Sequence, residues 1–300
     1  MLWLLIIAIF ATVLFRAYRN TFVPTINYID INLNPKDDNT KNMPPLKILH
    51  LSDLHMENLS VKANWIVDSF HEETFDLIAI TGDLLDRAKN IPTAVQYVEA
   101  VHTKFRPALG TYVVFGNHDY VLPPMKLAQL KVELERIGCH VLLNRSVTVQ
   151  LPETKLHIIG IDDYHSRKSD LQKSFANVDE EGIRLVLTHD PNIILTMQEY
   201  PYDYLLSGHF HGGQIHWPKA YHLRSMGKLP RMNIVKGLHY HEGRPFYISE
   251  GLGQTGLNIR LRSRPEITVH TLQTQSIPTA HQVAPVENVL NESVPTLALE

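Results

Sequence analysis

The sequence predicts an α/β protein built as one domain: two packed mixed β-sheets flanked by helices, with a hydrophobic helix in front. Three observations point there. Short apolar runs of four to six residues, rich in β-branched side chains and stopped by Gly, Asp or Asn, recur along the chain as buried strands do. Helical stretches alternate with them early and mostly strands follow later, which suits two sheets with helices outside. The 300 residues, 44% hydrophobic and 20% charged, are ample for one large core and exclude wholesale disorder.

The elements follow in order. Residues 1–15 (MLWLLIIAIFATVLF) carry no charged side chain and would rise roughly 22 Å as a helix at about 1.5 Å per residue. Arg16 and Arg19 come next, among Tyr18 and Phe22, the border expected where an apolar segment leaves a membrane. Positive charge before the run and a small-residue cleavage site after it are both missing, so residues 1–20 read as an uncleaved anchor rather than a signal peptide. The positive flank favours a domain on the cytoplasmic face. Residues 21–45 are expected to be a linker, polar and Pro-bounded over 34–45 (NPKDDNTKNMPP), so that the domain spans 46–272. Strands are predicted over 46–51, 77–80, 112–115, 147–151, 156–161, 183–187, 204–206, 246–248 and 267–272, and helices over 62–72, 94–104 and 125–137. Residues 273–300, rich in Pro, Thr, Ser, Asn and Val, read as a disordered tail.

Composition narrows the chemistry. A formal charge of −3 gives no basic field for nucleic acid. The one cysteine, Cys139, excludes an intramolecular disulfide and any CxxC metal or redox scheme. Histidine, with 17 copies, stands out, so a metal site must be built from His, Asp and Asn. Six polar clusters follow apolar runs: Ser52-Asp53-Leu54-His55, Gly82-Asp83-Leu84-Leu85-Asp86, Gly116-Asn117-His118-Asp119, Asp162-Asp163, His189-Asp190, and Gly208-His209-Phe210-His211-Gly212-Gly213. Loops at the carboxyl ends of strands are where α/β sheets gather ligands. If the backbone is extended there, Asp53 and His55 point the same way, as do His209 and His211. Carboxylate, carboxamide oxygen and imidazole together suit Mn²⁺, Fe or Zn²⁺ better than Mg²⁺. Singly each cluster reads as a turn or a loop cap. Their joint order does not.

That order resembles the calcineurin-like metallophosphoesterase superfamily, whose blocks run D-x-H, G-D-x-x-D, G-N-H-D/E, a later H, and G-H-x-H. The resemblance is closest to the YkuE/YaeI-like phosphodiesterase branch and extends over 46–272, including Leu206 to Ile215 and Gly251 to Arg260. Phe210 stands where that branch usually has Thr. The resemblance implies a four-layer αββα metallophosphoesterase fold. It also implies two divalent ions, Mn²⁺ first and Fe or Zn²⁺ next, that share a hydroxide for attack on phosphorus. Asp53, His55 and His211 would hold one ion, Asn117, His189 and His209 the other, with Asp83 bridging. His118 would be the catalytic acid, with Asp119, placed with it in the catalytic pair, and Asp86 either orienting His118 or the ligands or else capping their loops.

Two other features are weaker. Asp162-Asp163-Tyr164-His165 reads as a loop near the site mouth. The stretch 217–241 mixes Arg224, Lys228, Arg231 and Lys236 with Trp217, Tyr221 and Leu223, and reads as a solvated loop or a strip for a phosphorylated amphiphile. The sequence therefore leads to a membrane-tethered phosphohydrolase acting on a phosphodiester or pyrophosphate, with a phosphorylated small-molecule or lipid-like substrate and no obligate protein partner. The alternatives are a UDP-2,3-diacylglucosamine pyrophosphohydrolase of lipid A synthesis and, in a different class, a non-catalytic metal-binding scaffold.

Overall fold

The computed structural model describes residues 1–33, 43–152, 154–216 and 218–274. Its elements, in chain order, are α1 (Leu2–Asn20), β1 (Thr25–Asn32), β2 (Leu46–Leu51), α2 (Ala63–Ser69), β3 (Leu77–Thr81), α3 (Ile91–Phe105), β4 (Thr111–Val114), α4 (Pro124–Arg136), β5 (Cys139–Val141), β6 (Arg145–Gln150), β7 (Lys155–Gly160), α5 (Leu171–Phe175), β8 (Ile183–Leu187), β9 (Tyr204–Ser207), α6 (Lys228–Arg231), β10 (Gly237–His241), β11 (Arg244–Ile248) and β12 (Glu266–Gln273). Two six-stranded sheets result, in the orders β1-β12-β2-β3-β4-β5 and β10-β11-β9-β8-β7-β6. Both are mixed. In the first, β12 runs antiparallel to β2 while β2 to β5 are parallel, and in the second β7, β8, β9 and β11 are parallel.

The strands are apolar on both faces because both faces are covered. Along β2, Ile48 joins the core between the sheets while Leu49 faces the helices, since successive side chains alternate. Along β8, Leu185 and Leu187 point between the sheets and Val186 points outward. Three cores therefore separate four layers, with α2, α3 and α4 on the first sheet and mostly short 3₁₀ turns on the second. This is the predicted two-sheet α/β architecture.

Two departures matter for the domain's limits. The expected linker over 21–45 contains β1, which pairs in parallel with β12 over eight residues and buries Ile31 between the sheets. The folded unit therefore starts before Leu46. Residues 34–42 of that linker and 275–300 of the expected tail lie outside the described residues. The other missed strands, β5 and β10, are respectively three residues long and an edge rich in His and Tyr.

Candidate metal centre

Each predicted ligand loop leaves the carboxyl end of a strand: β2 delivers Asp53 and His55, β3 Asp83, β4 Asn117, β8 His189, and β9 His209 and His211. The backbone there is not extended, so the alternation argument for the D-x-H and H-x-H pairs does not hold. Asp53 (φ 50°), His55 (40°), Asp83 (52°), His209 (77°) and His211 (49°) are all left-handed. Such conformations cost a non-glycine residue about 1–2 kcal/mol each and persist only where the surroundings impose them. Here the loops brace one another: Asp53 N donates to Gly82 O and His55 N to Asp83 O, both at 3.0 Å, and His209 N donates to Asp53 Oδ1 at 3.1 Å. The loops also meet without room for a side chain. A Cβ on Gly208 would run into Ser52 Oγ and the Asp53 carboxylate, and one on Gly116 into the Asp83 carboxylate.

The side chains converge in two groups. Asp53, His55, Asp83 and His211 offer donor atoms within 4.8 Å of one another, and so do Asp83, His189 and His209. Asp83 belongs to both, its Oδ2 lying 3.5 Å from His55 Nε2 and 3.0 Å from His189 Nε2. Its Oδ1 accepts from His118 N at 2.8 Å, which fixes the carboxylate's orientation. Asn117 lines the same cleft, and its buried Oδ1 has no hydrogen-bond partner.

The donor set fits two cations. His55 Nδ1 donates to Asp86 (3.1 Å), His189 Nδ1 to Thr81 O (2.8 Å) and His211 Nδ1 to Gly253 O (3.2 Å), so each ring turns its Nε2 inward. These atoms face other nitrogens: His55 Nε2 sits 3.2 Å from His211 Nε2, and His189 Nε2 3.1 Å from His209 Nδ1. A proton on one ring or a cation shared by both makes each contact favourable. Two nitrogens about 2.0–2.1 Å from a shared ion would stand about 2.8–3.4 Å apart, which these separations satisfy. Burial, then the neighbouring histidines, pushes His209 and His211 well below the usual imidazole range, leaving them unprotonated. Burial opposes the charge of Asp83, but His189 and His55 outweigh it and hold the carboxylate well below its ordinary value.

Behind Asp53 runs a buried chain of hydrogen bonds between the sheets. Tyr204 OH meets His270 Nδ1 (2.9 Å), His270 Nε2 meets His50 Nδ1 (3.3 Å), and His50 Nε2 meets Thr81 Oγ1 (2.8 Å). Thr81 Oγ1 then donates to Ser52 Oγ and Ser52 Oγ to Asp53 Oδ2, both at 2.7 Å. One proton assignment satisfies every link, with each donor pointing toward Asp53. Burial lowers the pKa of His50 to about 3, so the chain stays neutral.

His118 stands in the cleft wall with Nδ1 3.1 Å from Asp86 Oδ1, the oxygen that also holds His55. Burial works against its charge, but the bond to Asp86 and the charge of Asp83 prevail and raise its pKa to about 9. Of the two readings of Asp119, its contacts are those of the loop cap. Its Oδ1 accepts from Leu84 N (2.9 Å) and Leu85 N (3.3 Å) and its Oδ2 from Gly116 N (2.9 Å), with the side chain fully buried. A side chain committed to three backbone donors ties the second and third loops together.

Sequence reasoning passed over part of the wall. The stretch expected to be a solvated loop packs Ala220, Leu223 and Leu229 into the outer core, and His222, Leu223, Ser225 and Met226 close a cleft of about 340 Å³. Ile215, Leu257 and Thr255 complete its rim, the last two from the stretch Gly251 to Arg260. Trp217 lies outside the described residues. His165, from the Asp162-Asp163 cluster, reaches the site: its ring lies 5.1 Å from that of His209, and it groups with Asp190 and His209 within 4.8 Å. The pairing of His165 with Asp190 had no motif to reveal it. Phe210 is buried in the outer core against the His209 ring, 5.1 Å between centroids.

A two-sheet fold with clustered His and Asp on its strand ends defines a metal-dependent phosphoesterase. The chain belongs to the calcineurin-like phosphoesterase family, whose model matches residues 46–213. Among its relatives, the uncharacterized metallophosphoesterase YkoQ of Bacillus subtilis is 52% identical over 89% of this chain and 97% of its own length. The phosphodiesterase YaeI of Escherichia coli is 31% identical, covering 76% of this chain and 82% of its own. The UDP-2,3-diacylglucosamine pyrophosphatase LpxG of Chlamydia trachomatis is 26% identical, covering 74% and 82%.

Proposed function

We propose that this phosphoesterase is a membrane-tethered, dimetal hydrolase that cleaves a phosphodiester or pyrophosphate bond. The observation that carries the reading is Asp83 Oδ2, shared between two donor groups that are otherwise independent. Asp53, His55 and His211 would hold one ion and Asn117, His189 and His209 the other, Mn²⁺ being the first choice and Fe or Zn²⁺ the next. Bound there, two cations supply a lowered pKa for water and a clamp on phosphoryl oxygens. His118 keeps its charge through Asp86 and so carries a proton at neutral pH, ready for the leaving oxygen. Asp86 orients His55 and His118 from one oxygen.

The tether reading rests on α1, which is long and apolar enough to cross a membrane and which is exposed from residue 2 to 16. A second substrate reading has its own support. Ile215, Leu223, Met226 and Leu257 give the cleft an apolar wall, and LpxG acts by name on a diacylated sugar nucleotide. Such a substrate has a pyrophosphate for the cations and acyl chains for the wall. The test is hydrolysis by Mn²⁺-loaded protein of bis-p-nitrophenyl phosphate, its monoester, nucleotide diphosphate sugars with and without acyl chains, and phospholipids. Diester or pyrophosphate cleavage well above monoester cleavage is expected. Preference for the monoester would overturn the reading, and no turnover with two ions bound would leave the non-catalytic scaffold.

A further inference from the structure

Arg260 is fully buried, and its guanidinium bonds a set of main-chain oxygens. Nη1 lies 2.7 Å from Glu250 O, 3.0 Å from Arg264 O and 3.3 Å from His211 O, and Nη2 lies 2.9 Å from Gly251 O and 2.6 Å from Gly253 O. Ser263 Oγ accepts from Nη1 at 2.9 Å and donates to His211 O, also at 2.9 Å. The planar fork fixes the direction of each donor, and its charge strengthens each bond. The backbone of Arg260 is itself pinned at the foot of α1: its N donates to Ala17 O and its O accepts from Asn20 Nδ2, both at 2.9 Å.

The carbonyls that Arg260 collects belong to a segment pressed onto the first ligand loop. Leu252 N donates to Ser52 O at 2.9 Å and Gly253 N to Asp53 O at 2.6 Å. Two glycines allow that approach. A Cβ on Gly251 would meet Asp53 Cβ, and one on Gly253 would meet Leu54 O and His55 Cβ. Gly253 O, held by Nη2, is also the acceptor of His211 Nδ1 at 3.2 Å. The guanidinium therefore reaches His211 twice, at its own carbonyl and at the acceptor of its ring, and reaches Asp53 and His55 through residues 251–253. These three are the ligands proposed for one ion. Those proposed for the other stand on different supports: His189 on Thr81 O, and the Asn117 loop on Asp119 through Gly116 N.

We propose that Arg260 is a positioning residue for one ion of the pair, holding His211 and the Asp53–His55 loop in place for it while the second ion's ligands are held independently. The inference rests on the dimetal reading. Outer hydrogen bonds of this kind are worth about 10–100-fold in metal affinity.

The experiment titrates the full chain, in uncharged detergent, with Co²⁺, whose visible absorption follows the ligands of each ion; His211→Ala identifies the step that belongs to the His211 ion. Arg260→Lys keeps the charge, but three donors on one nitrogen cannot span the carbonyls of both His211 and Gly253. It should weaken the His211 step by about tenfold or more, move its absorption band, and leave the other step within about twofold. Ser263→Ala removes only the hydroxyl between the guanidinium and His211 O and should weaken the same step about fivefold, the worth of one hydrogen bond. Should Arg260→Lys fail to melt cooperatively, Ser263→Ala decides. Equal weakening of both steps makes Arg260 a general support of the fold and overturns the proposal, as does wild-type affinity at both. Fewer than two Co²⁺ bound by the wild type overturns the dimetal reading and this role with it, whereas two bound ions with unchanged variants overturn the role alone.

Discussion

Thr81 links the hydrogen-bonded chain between the sheets to the proposed ligand Asp53, taking His50 Nε2 at 2.8 Å and giving its own proton to Ser52. Thr81→Val keeps the shape and removes the hydroxyl, so Ser52 loses the donor that aligns it on Asp53. Partners behind ligands are worth about 10–100-fold in metal affinity. Chelator competition should show a loss of about tenfold for Thr81→Val and recovery in Thr81→Ser; wild-type affinity in the Val variant would reduce the chain to inert packing. His118→Ala removes no proposed ligand. Metal content should persist while kcat on a poor-leaving-group diester falls roughly 10²–10⁴-fold, and an unchanged kcat would remove the acid role. Asp83→Asn takes away the shared charge, so bound metal and turnover should both be lost while the fold survives. Two tightly held ions with full activity would sink the bridging assignment. At this scale the sequence displayed the ligand types but not their backbone. Nothing in Asp53, His55 or Asp83 announces a left-handed φ, because it is imposed by contacts between loops far apart in the chain. Asp119 shows the same limit: its adjacency to His118 suggested chemistry, while its three backbone donors lie 3, 34 and 35 residues away.

Among the elements, the inner parallel strands were legible because burial on both faces leaves continuous apolar runs, as in 183–187. The edge strand β1 was not. Its sequence, TINYIDIN, interleaves Asn and Asp with Ile, since much of it stays half-exposed beside β12. Its partner β12 opens with Glu266, fully buried, whose Oε1 accepts from Tyr247 OH (2.9 Å) and Thr268 Oγ1 (2.7 Å). Burial, and then the charge of Glu250, raises its pKa from 4.5 to about 7. The folded state therefore keeps a proton that the unfolded chain has released, and this group's contribution to stability falls as pH rises from 4.5 to about 7 and is constant above. The full effect is on the order of 3 kcal/mol. Glu266→Gln removes the titration, so the stability of the wild type relative to the variant should decline across that window. Denaturant midpoints for the pair at several pH values decide it, and a pH-independent gap would show that Glu266 stays ionised in the fold.

For the whole molecule, the boundary between the exposed part of α1 and the domain is a matter of which residues have partners. Residues 1–16 are exposed, whereas Ala17 is buried, its carbonyl taken by Arg260 N, and Thr21 is buried against Ser60. Beyond them, β1 covers β12 along eight paired residues. A cut suggested by the sequence alone, ahead of Leu46, would strip that strand away and expose the full edge of β12, leaving backbone donors and acceptors unpaired and a template for association. Removing residues 1–15 instead costs only exposed apolar surface. That truncation should be monomeric without detergent, hold its metals, melt cooperatively and cleave a small chromogenic diester at the full-length rate. Removal of 1–40 should aggregate or melt many degrees lower. Full-length protein should float with lipid vesicles and the 1–15 truncation should not, since the tether raises local concentration at that surface. Equal flotation of the two would place membrane attachment elsewhere in the chain, and a 1–40 truncation as stable as the full chain would show that β1 contributes nothing to the sheet it completes.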